Sequence, residues 1–376
     1  MSLSSTPPQP QIPWFASPTE EPLRRRIFED WERVYEHGQF LAGDEIAAFE
    51  SEFGAATSSH CAAVASGTAA LRLALQTLGV GPGCEVIVPS LSFIASAEAV
   101  IHVGARPVFV DIDDSRATLD PQRVEEAIGP KCRAIIAVHL YGRCADLRSL
   151  SELATRQGLH LVEDAAQAHG AQFDGRPVGA WGDAAAFSFH PTKNLPACGD
   201  AGAVTSRSKE LIRDVRALAN HGQREAQRHL EVGDTARIDT LQAVALRHRL
   251  PELPRWNRRR AELSALYRER LESYREELQL PDPLVGSEEV HHLFVVRHPK
   301  RDALRSELAK LGIGTALHYP TPLPRQPAFE SWRCRPQPNA ERWAERCLTL
   351  PLYPGLSDEA LHRVCDSLIA VLSLCR

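Results

Sequence analysis

Residues 134–139, Ala-Ile-Ile-Ala-Val-His, form a short apolar run that ends on a polar side chain. Residues 160–164, His-Leu-Val-Glu-Asp, repeat the pattern after a stretch of helical spacing at 145–157. Two continuous apolar strands joined by a helix predict parallel strands buried on both faces. The alternation extends outward in both directions. Further strands are predicted at 61–65, 85–89, 107–111, 185–188 and 202–205, with helices near 68–78, 92–102 and 121–128. The fold class is therefore α/β, with a large domain whose mostly parallel sheet is covered by helices. Ligands of such sheets bind beyond the carboxyl ends of the strands. Polar residues at those ends, Ser66, Ser90, Asp111, His139, Asp164 and Ser188, become the first candidates for function.

After Arg207 the character changes. Residues 237–278 read as long helix, with Leu263, Leu266, Tyr267 and Leu271 on one stripe. Pro281-Asp282-Pro283 marks a boundary, and 290–376 reads as a smaller α/β unit. Its last helix starts at a Ser357 cap followed by Asp358 and Glu359. Leu361, Val364, Cys365, Leu368, Val371 and Leu372 form its core stripe. The expected organisation is a flexible tail at 1–15, a large domain at 16–250, and a connecting helix plus small C-terminal domain at 251–376.

The 376 residues carry a net charge of −5, from 43 basic and 48 acidic side chains. That gives no basic footprint for nucleic acid and no attraction to an anionic membrane. No apolar run approaches the ~18 residues of a membrane span. The N-terminus has no apolar segment of a secretory signal, so the expected location is the cytoplasm. Nine cysteines, an odd number without C-x-x-C spacing, read as free buried thiols and not as disulfides or metal ligands.

Three stretches carry chemistry. In 65–71, Ala-Ser-Gly-Thr-Ala-Ala-Leu, a strand gives way to a helix whose first N–H groups suit a phosphate; a plain turn capped by Ser66 or Thr68 has the same sequence. In 161–170, Leu-Val-Glu-Asp-Ala-Ala-Gln-Ala-His-Gly, Asp164 arrives at the end of a buried strand and needs a partner. A protonated ring nitrogen, an arginine or helix N–H groups would each serve. In 186–194, Ala-Phe-Ser-Phe-His-Pro-Thr-Lys-Asn, Lys193 follows Pro191 on a loop. Loop lysines are ordinarily solvated, but one held in a site sheds its proton and forms a Schiff base. Ser188 is a second phosphate ligand or a hydroxyl satisfied by backbone.

The ordered set SGTAAL (66–71), VPSLSFIASAEAV (88–100), VHLYG (138–142), VEDAAQAHGA (162–171), SFHPTKNL (188–195), GDAGAV (199–204), ARIDTLQA (236–243) and LHYPTPLPRQPAF (317–329) resembles the DegT/DnrJ/StrS sugar-nucleotide aminotransferases. These are fold type I enzymes that use pyridoxal 5'-phosphate. The resemblance runs from about Gly38 to the C-terminus. It implies that Lys193 bonds the cofactor and moves the proton, while Asp164 pairs with the pyridine nitrogen. Gln167 matches the residue beside the phenolic oxygen, and Phe93 an aromatic ring stacked on the cofactor. Gly67, Thr68 and Ser188 match the phosphate cradle. The resemblance also implies a homodimer with the active site at the interface, where the 233–239 segment reaches the partner's cofactor. The usual pattern there has Asn in place of Thr235. Arg237 either holds the donor carboxylate or pairs with Asp239. His318 and Tyr319 match a substrate-facing motif, in which Pro324 stands where His is frequent.

The implied reaction takes an amino group from an amino acid, L-glutamate, to a keto-sugar nucleotide by a ping-pong route. Lys193-Asn194-Leu195 followed by Gly199-Asp200-Ala201-Gly202 resembles members acting on a dTDP-3-keto-deoxyhexose. A 4-keto sugar or a cyclitol is an alternative acceptor. The departures at Thr235 and Pro324 leave a second alternative, an inactive partner subunit; a non-catalytic regulator is a third, although no basic helix-turn-helix precedes Gly38. The related sugar dehydratases carry histidine at the lysine position, and Lys193 is present.

Overall fold

The runs of β-branched and small apolar residues assemble into one seven-stranded sheet in a computed structural model that describes residues 11–18, 20–225, 227–332 and 335–374. Its strands are β1 (His60–Val64), β2 (Glu85–Pro89), β3 (Arg106–Val110), β4 (Cys132–Val138), β5 (His160–Asp164), β8 (Ala184–Ser188) and β9 (Gly202–Ser206). The order is β1-β9-β8-β5-β4-β2-β3. Every pair is parallel except those of β9, which runs antiparallel to both β1 and β8. Two-residue strands β6 (Gln172–Phe173) and β7 (Arg176–Pro177) form a side ribbon with β12 (Ser287–Glu288).

The pleat divides the apolar runs between two cores. On β4, Ala134, Ile136 and Val138 enter one cluster, and Ile135 and Ala137 the other. Helices cover both faces, as continuous apolar strands require. Leucines of α3 (Gly67–Thr77), Val100 of α4 (Ala95–His102) and Val215 of α7 (Lys209–Ala219) fill the first core. Phe49 and Phe53 of α2 (Asp44–Ala56), Val124 of α5 (Pro121–Ala127), Leu150 of α6 (Leu147–Gln157) and Leu246 of α8 (Thr240–Arg249) fill the second. Helix α1 (Glu21–His37) seats Leu23 and Ile27 against Ala245 and Trp256. An exposed hairpin of β10 (Gln223–Glu225) and β11 (Arg228–His229) follows α7.

The C-terminal unit has its own core. Leu263, Tyr267 and Leu271 of α9 (Leu253–Leu271) meet Leu361, Val364 and Leu368 of α12 (Asp358–Leu374). A two-stranded sheet of β13 (Phe294–Arg297) and β14 (Cys347–Leu350) lies with α10 (Arg301–Lys310) and α11 (Pro338–Arg346). The expected Ser357 cap is in place, its hydroxyl accepting from Ala360 N–H at 3.2 Å.

Three expectations need correction. The 237–278 helix is broken: α8 ends at Arg249, a 3-10 turn spans Leu250–Glu252, and α9 begins at Leu253. Pro251 and Pro254 lack the N–H groups that a continuous helix would use. Residues 11–15 are no free tail. Ile12 is buried on the C-terminal unit, donating to Gly312 O (2.9 Å) and accepting from Gly314 N–H (2.8 Å). Cys198 is exposed, not buried. Residues 1–10, Cys334 and Cys375 lie outside the described residues. Among those described, no helix is long and apolar enough to cross a membrane.

One buried charge fixes the end of β5. Glu163 is wholly buried and accepts from the N–H groups of Gly179, Trp181 and Gly182, each at 2.9 Å. His139 Nδ1 accepts from Ala145 N–H (3.1 Å), so its Nε2 carries the proton toward Glu163 (3.3 Å). Burial alone would raise the Glu163 carboxyl, but His139 and the backbone donors outweigh it and hold it below the usual carboxylate range. Replacing Glu163 with alanine strands these donors, and chemical denaturation should show a loss of about 3–5 kcal/mol. Because the folded carboxyl titrates lower than the unfolded one, its contribution is complete above the ordinary carboxylate pKa. It is lost as pH falls through the depressed value.

Candidate active site

The carboxyl ends of β1, β5 and β8 converge on a cavity of about 410 Å³. Asp164, Gln167 and Lys193 line it, as do Gly67, Thr68 and Ser188. Phe93, His318 and Tyr319 complete the set of expected residues found there. Thr235 and Arg237 do not line it.

Helix α3 starts at the cavity. Ser66 caps it, its hydroxyl accepting from Ala69 N–H at 3.1 Å. Two glycines let this start press against the sheet. A Cβ on Gly67 would meet Ser188 Cβ at 2.6 Å, and one on Gly202 would meet the Ser66 carbonyl at 2.4 Å. The first-turn N–H groups of α3 and the Ser188 hydroxyl therefore sit side by side, a donor set suited to an anion.

Asp164 is held from behind. Its Oδ2 accepts from Ser96 Oγ (2.7 Å), which in turn accepts from Ser92 Oγ (2.8 Å). Its Oδ1 accepts from Ala166 N–H (3.3 Å). Burial pushes this carboxyl up; Ser96, Ala166 N–H and the Lys193 charge pull the other way. The sequence alone did not single out Ser92 and Ser96, although their i, i+4 spacing beside a strand end is a usable signal.

Lys193 sits on a tight turn, its N–H donating to His190 O at 2.8 Å. Asn194 anchors that turn, donating to Val290 O and Asn257 Oδ1 (both 2.9 Å) and accepting from His292 Nδ1 (3.0 Å). The chain has five lysines; Lys131, Lys209, Lys300 and Lys310 are exposed, and Lys193 alone is not. Loss of solvent in the cavity pulls its amine down to about 8, against the opposing charge of Asp164. Below that value the amine is protonated and inert; above it, a free nucleophile. Amine labelling of the apoprotein followed by peptide mapping should give half-maximal reaction at Lys193 near pH 8.

Gln167 is oriented from both ends. Its Oε1 accepts from Tyr141 N–H (2.6 Å) and its Nε2 donates to Tyr319 Oη (3.2 Å). Tyr141 Oη donates to the His318 carbonyl, and His318 Nδ1 meets Thr349 Oγ1 at 2.8 Å. Burial draws the His318 imidazole down to about 4, so it is neutral near pH 7. Phe93 is 52% exposed, with its ring 5.9 Å from Tyr319, and so is no ordinary core residue.

The other strand-end residues serve the scaffold. Asp111 caps α11, accepting from Asn339 N–H (3.0 Å) and Ala340 N–H (2.9 Å). Ser90 lies 2.6 Å from Gln337 Oε1. Thr235 is exposed, with Oγ1 3.1 Å from His221 Nε2. Arg237 donates to Asn220 Oδ1 (2.9 Å), and no ion pair with Asp239 forms among the described residues. Pro324 is buried in a 3-10 turn away from the cavity.

Comparison with known proteins shows the family. Over 370 residues the chain is 44% identical to a "dTDP-3-amino-3,4,6-trideoxy-alpha-D-glucose transaminase" from Streptomyces venezuelae, covering 97% of each protein. It superposes with a TM-score of 0.93 and 43% identity on S. venezuelae DesV, solved "in complex with ketimine intermediate", over 97% of this chain and 99% of that one. A second solved structure, of Bacillus subtilis NtdA "with bound cofactor pmp", superposes with a TM-score of 0.89 at 28% identity, covering 99% and 86%. Residues 22–369 match one family throughout, and the chain belongs to the DegT/DnrJ/EryC1/StrS aminotransferase family.

Proposed function

We propose that this chain, as a homodimer, uses pyridoxal phosphate to move an amino group from L-glutamate to the 3-keto position of a dTDP-linked deoxyhexose. One observation carries the reading: the only unexposed lysine shares a cavity with a buried carboxylate and a helix N-terminus. That donor set matches the cofactor's three handles: an amine for the aldehyde, a carboxylate for the ring nitrogen, and N–H and hydroxyl donors for the phosphate. The cavity, at about 410 Å³, falls within the usual size of such sites. When bound, pyridoxal phosphate supplies an aldehyde for amino groups and a protonated ring that draws electrons from the reacting carbon.

The residues divide the remaining work. Asp164 presents its carboxyl to the cavity, oriented by Ser96 and Ala166 N–H, where a protonated ring nitrogen would hold it ionised. Lys193 Nζ, with a pKa of about 8, would take the proton from the donor's α-carbon and deliver it to the cofactor carbon that had carried the aldehyde oxygen. Gly67, Thr68 and Ser188 bind the phosphate. Gln167, locked between Tyr141 and Tyr319, presents its amide beside the phenolic oxygen. Phe93 covers the ring face.

The dimer is supported by apolar side chains without cover in one chain. Phe28, Tyr35, Phe40 and Leu41 are exposed at α1 and the turn after it, and Leu230 and Val232 beyond the β10–β11 hairpin. Thr235 and Arg237 lie close to that hairpin, outside their own cavity, and are proposed to serve the partner's. The dTDP-3-keto acceptor is supported by the activity of the S. venezuelae relative and by the Lys193-Asn194-Leu195 and Gly199-Asp200-Ala201-Gly202 runs.

Mixing the cofactor-loaded protein with L-glutamate alone tests the first half of the reaction. The absorption of the aldehyde form should give way to that of the amine form, with one 2-oxoglutarate released per site. No spectral change would favour the inactive partner or regulator. Adding keto-sugar nucleotides should restore the first spectrum, and NMR of the product should place the amine at C3.

A further inference from the structure

Trp14 also lines the Lys193 cavity, although it belongs to none of the sheets. It is delivered by a strap, residues 11–15, that lies along the C-terminal unit. Ile12 bridges Ile313 and enters the core that holds Leu308 and Leu361. The backbone at 314 is shaped for the strap: a Cβ on Gly314 would meet Trp14 N at 2.8 Å and Ile12 O at 3.1 Å. So seated, the indole stands 5.4 Å from the His318 ring, tilted by 52°. Trp14 is half-buried, which leaves part of the indole open to the cavity.

The chemistry of that surface separates the two substrates. L-glutamate is small and carries two carboxylates, so it needs cationic or N–H partners and gains little from an uncharged indole. A deoxyhexose has a flat C–H face and a methyl group, which an aromatic plane covers well. We propose that Trp14 is a specificity-determining residue for the acceptor, packing on the apolar face of the hexose, and that strap and Gly314 hold it there. This rests on the sugar-nucleotide reading above.

The test uses unreactive probes. Binding of dTDP-α-D-glucose and UDP-α-D-glucose to the loaded protein is measured by calorimetry, and the apparent affinity for L-glutamate by its spectral change. For whichever probe binds wild type better, Trp14→Ala should weaken binding about tenfold, ~1.4 kcal/mol. Trp14→Phe should stay within about threefold. Gly314→Ala, which lines no part of the cavity, should weaken the probe in the same direction by displacing the strap. The loss on L-glutamate should be smaller than the loss on the probe by about fivefold or more. Unchanged probe affinity in Trp14→Ala, or equal losses on probe and glutamate, would overturn the assignment while leaving the aminotransferase intact. If wild type responds to L-glutamate but binds neither probe, the sugar-nucleotide reading fails and takes this inference with it.

Discussion

Lys193→Ala should lose turnover by at least about 10⁴-fold, the combined scale of a missing nucleophile and a missing proton carrier. No neighbour replaces it, because the other four lysines are exposed and none lines the cavity. The fold should survive, since Asn194 and its partners hold the loop without the lysine side chain. The sign of the stability effect is itself a check. The amine's folded value of about 8 lies below its ordinary value of 10.5, so the folded state binds that proton less well than the unfolded chain. The cost is complete below pH 8 and is relieved as pH rises toward 10.5. Apoprotein carrying Lys193→Ala should therefore melt at the wild-type temperature or above it at pH 7. Calorimetry and a steady-state assay read both outcomes. A variant that keeps turnover would remove Lys193 from the chemistry.

Asp164→Asn should slow the glutamate half-reaction by about 10²–10³-fold, the usual scale for removing one preorganised electrostatic partner. Asparagine keeps the shape: its oxygen can still accept from Ala166 N–H and its amide N–H can donate to Ser96 Oγ, with that hydroxyl turned toward Ser92, so the cavity should persist. What it lacks is the charge that keeps a ring nitrogen protonated. Stopped-flow absorbance with L-glutamate measures the rate, and circular dichroism the fold. Rates near wild type would mean that Asp164 answers to some partner other than the ring.

Most of this site was legible because strands and glycines leave strong traces. The runs 134–139 and 160–164 gave a parallel sheet, and the polar residues at strand ends pointed to its carboxyl edge. Two of them, Ser90 and Asp111, serve the scaffold instead, since a strand-end polar group can turn to a neighbouring element as readily as to a ligand. The set of motifs, more than any single spacing, brought out Lys193, Gln167 and Tyr319, which converge from separate elements. Trp14 left no trace, because its place depends on Ile12 pairing with Ile313 across nearly the whole chain. The break between α8 and α9 was visible in Pro251 and Pro254 and was outweighed by the helical spacing around them. The Glu163–His139 pair was hidden because its partners are backbone N–H groups, which carry no residue signature.

A single bond between Lys193 and the cofactor's aldehyde underlies the proposed chemistry, and borohydride reduction of the loaded protein followed by peptide mass mapping reads it. The phosphopyridoxyl group should appear on Lys193 and on no other lysine. Label on Lys131, Lys209, Lys300 or Lys310 in its place, or no label from a protein shown to hold the cofactor, would contradict it.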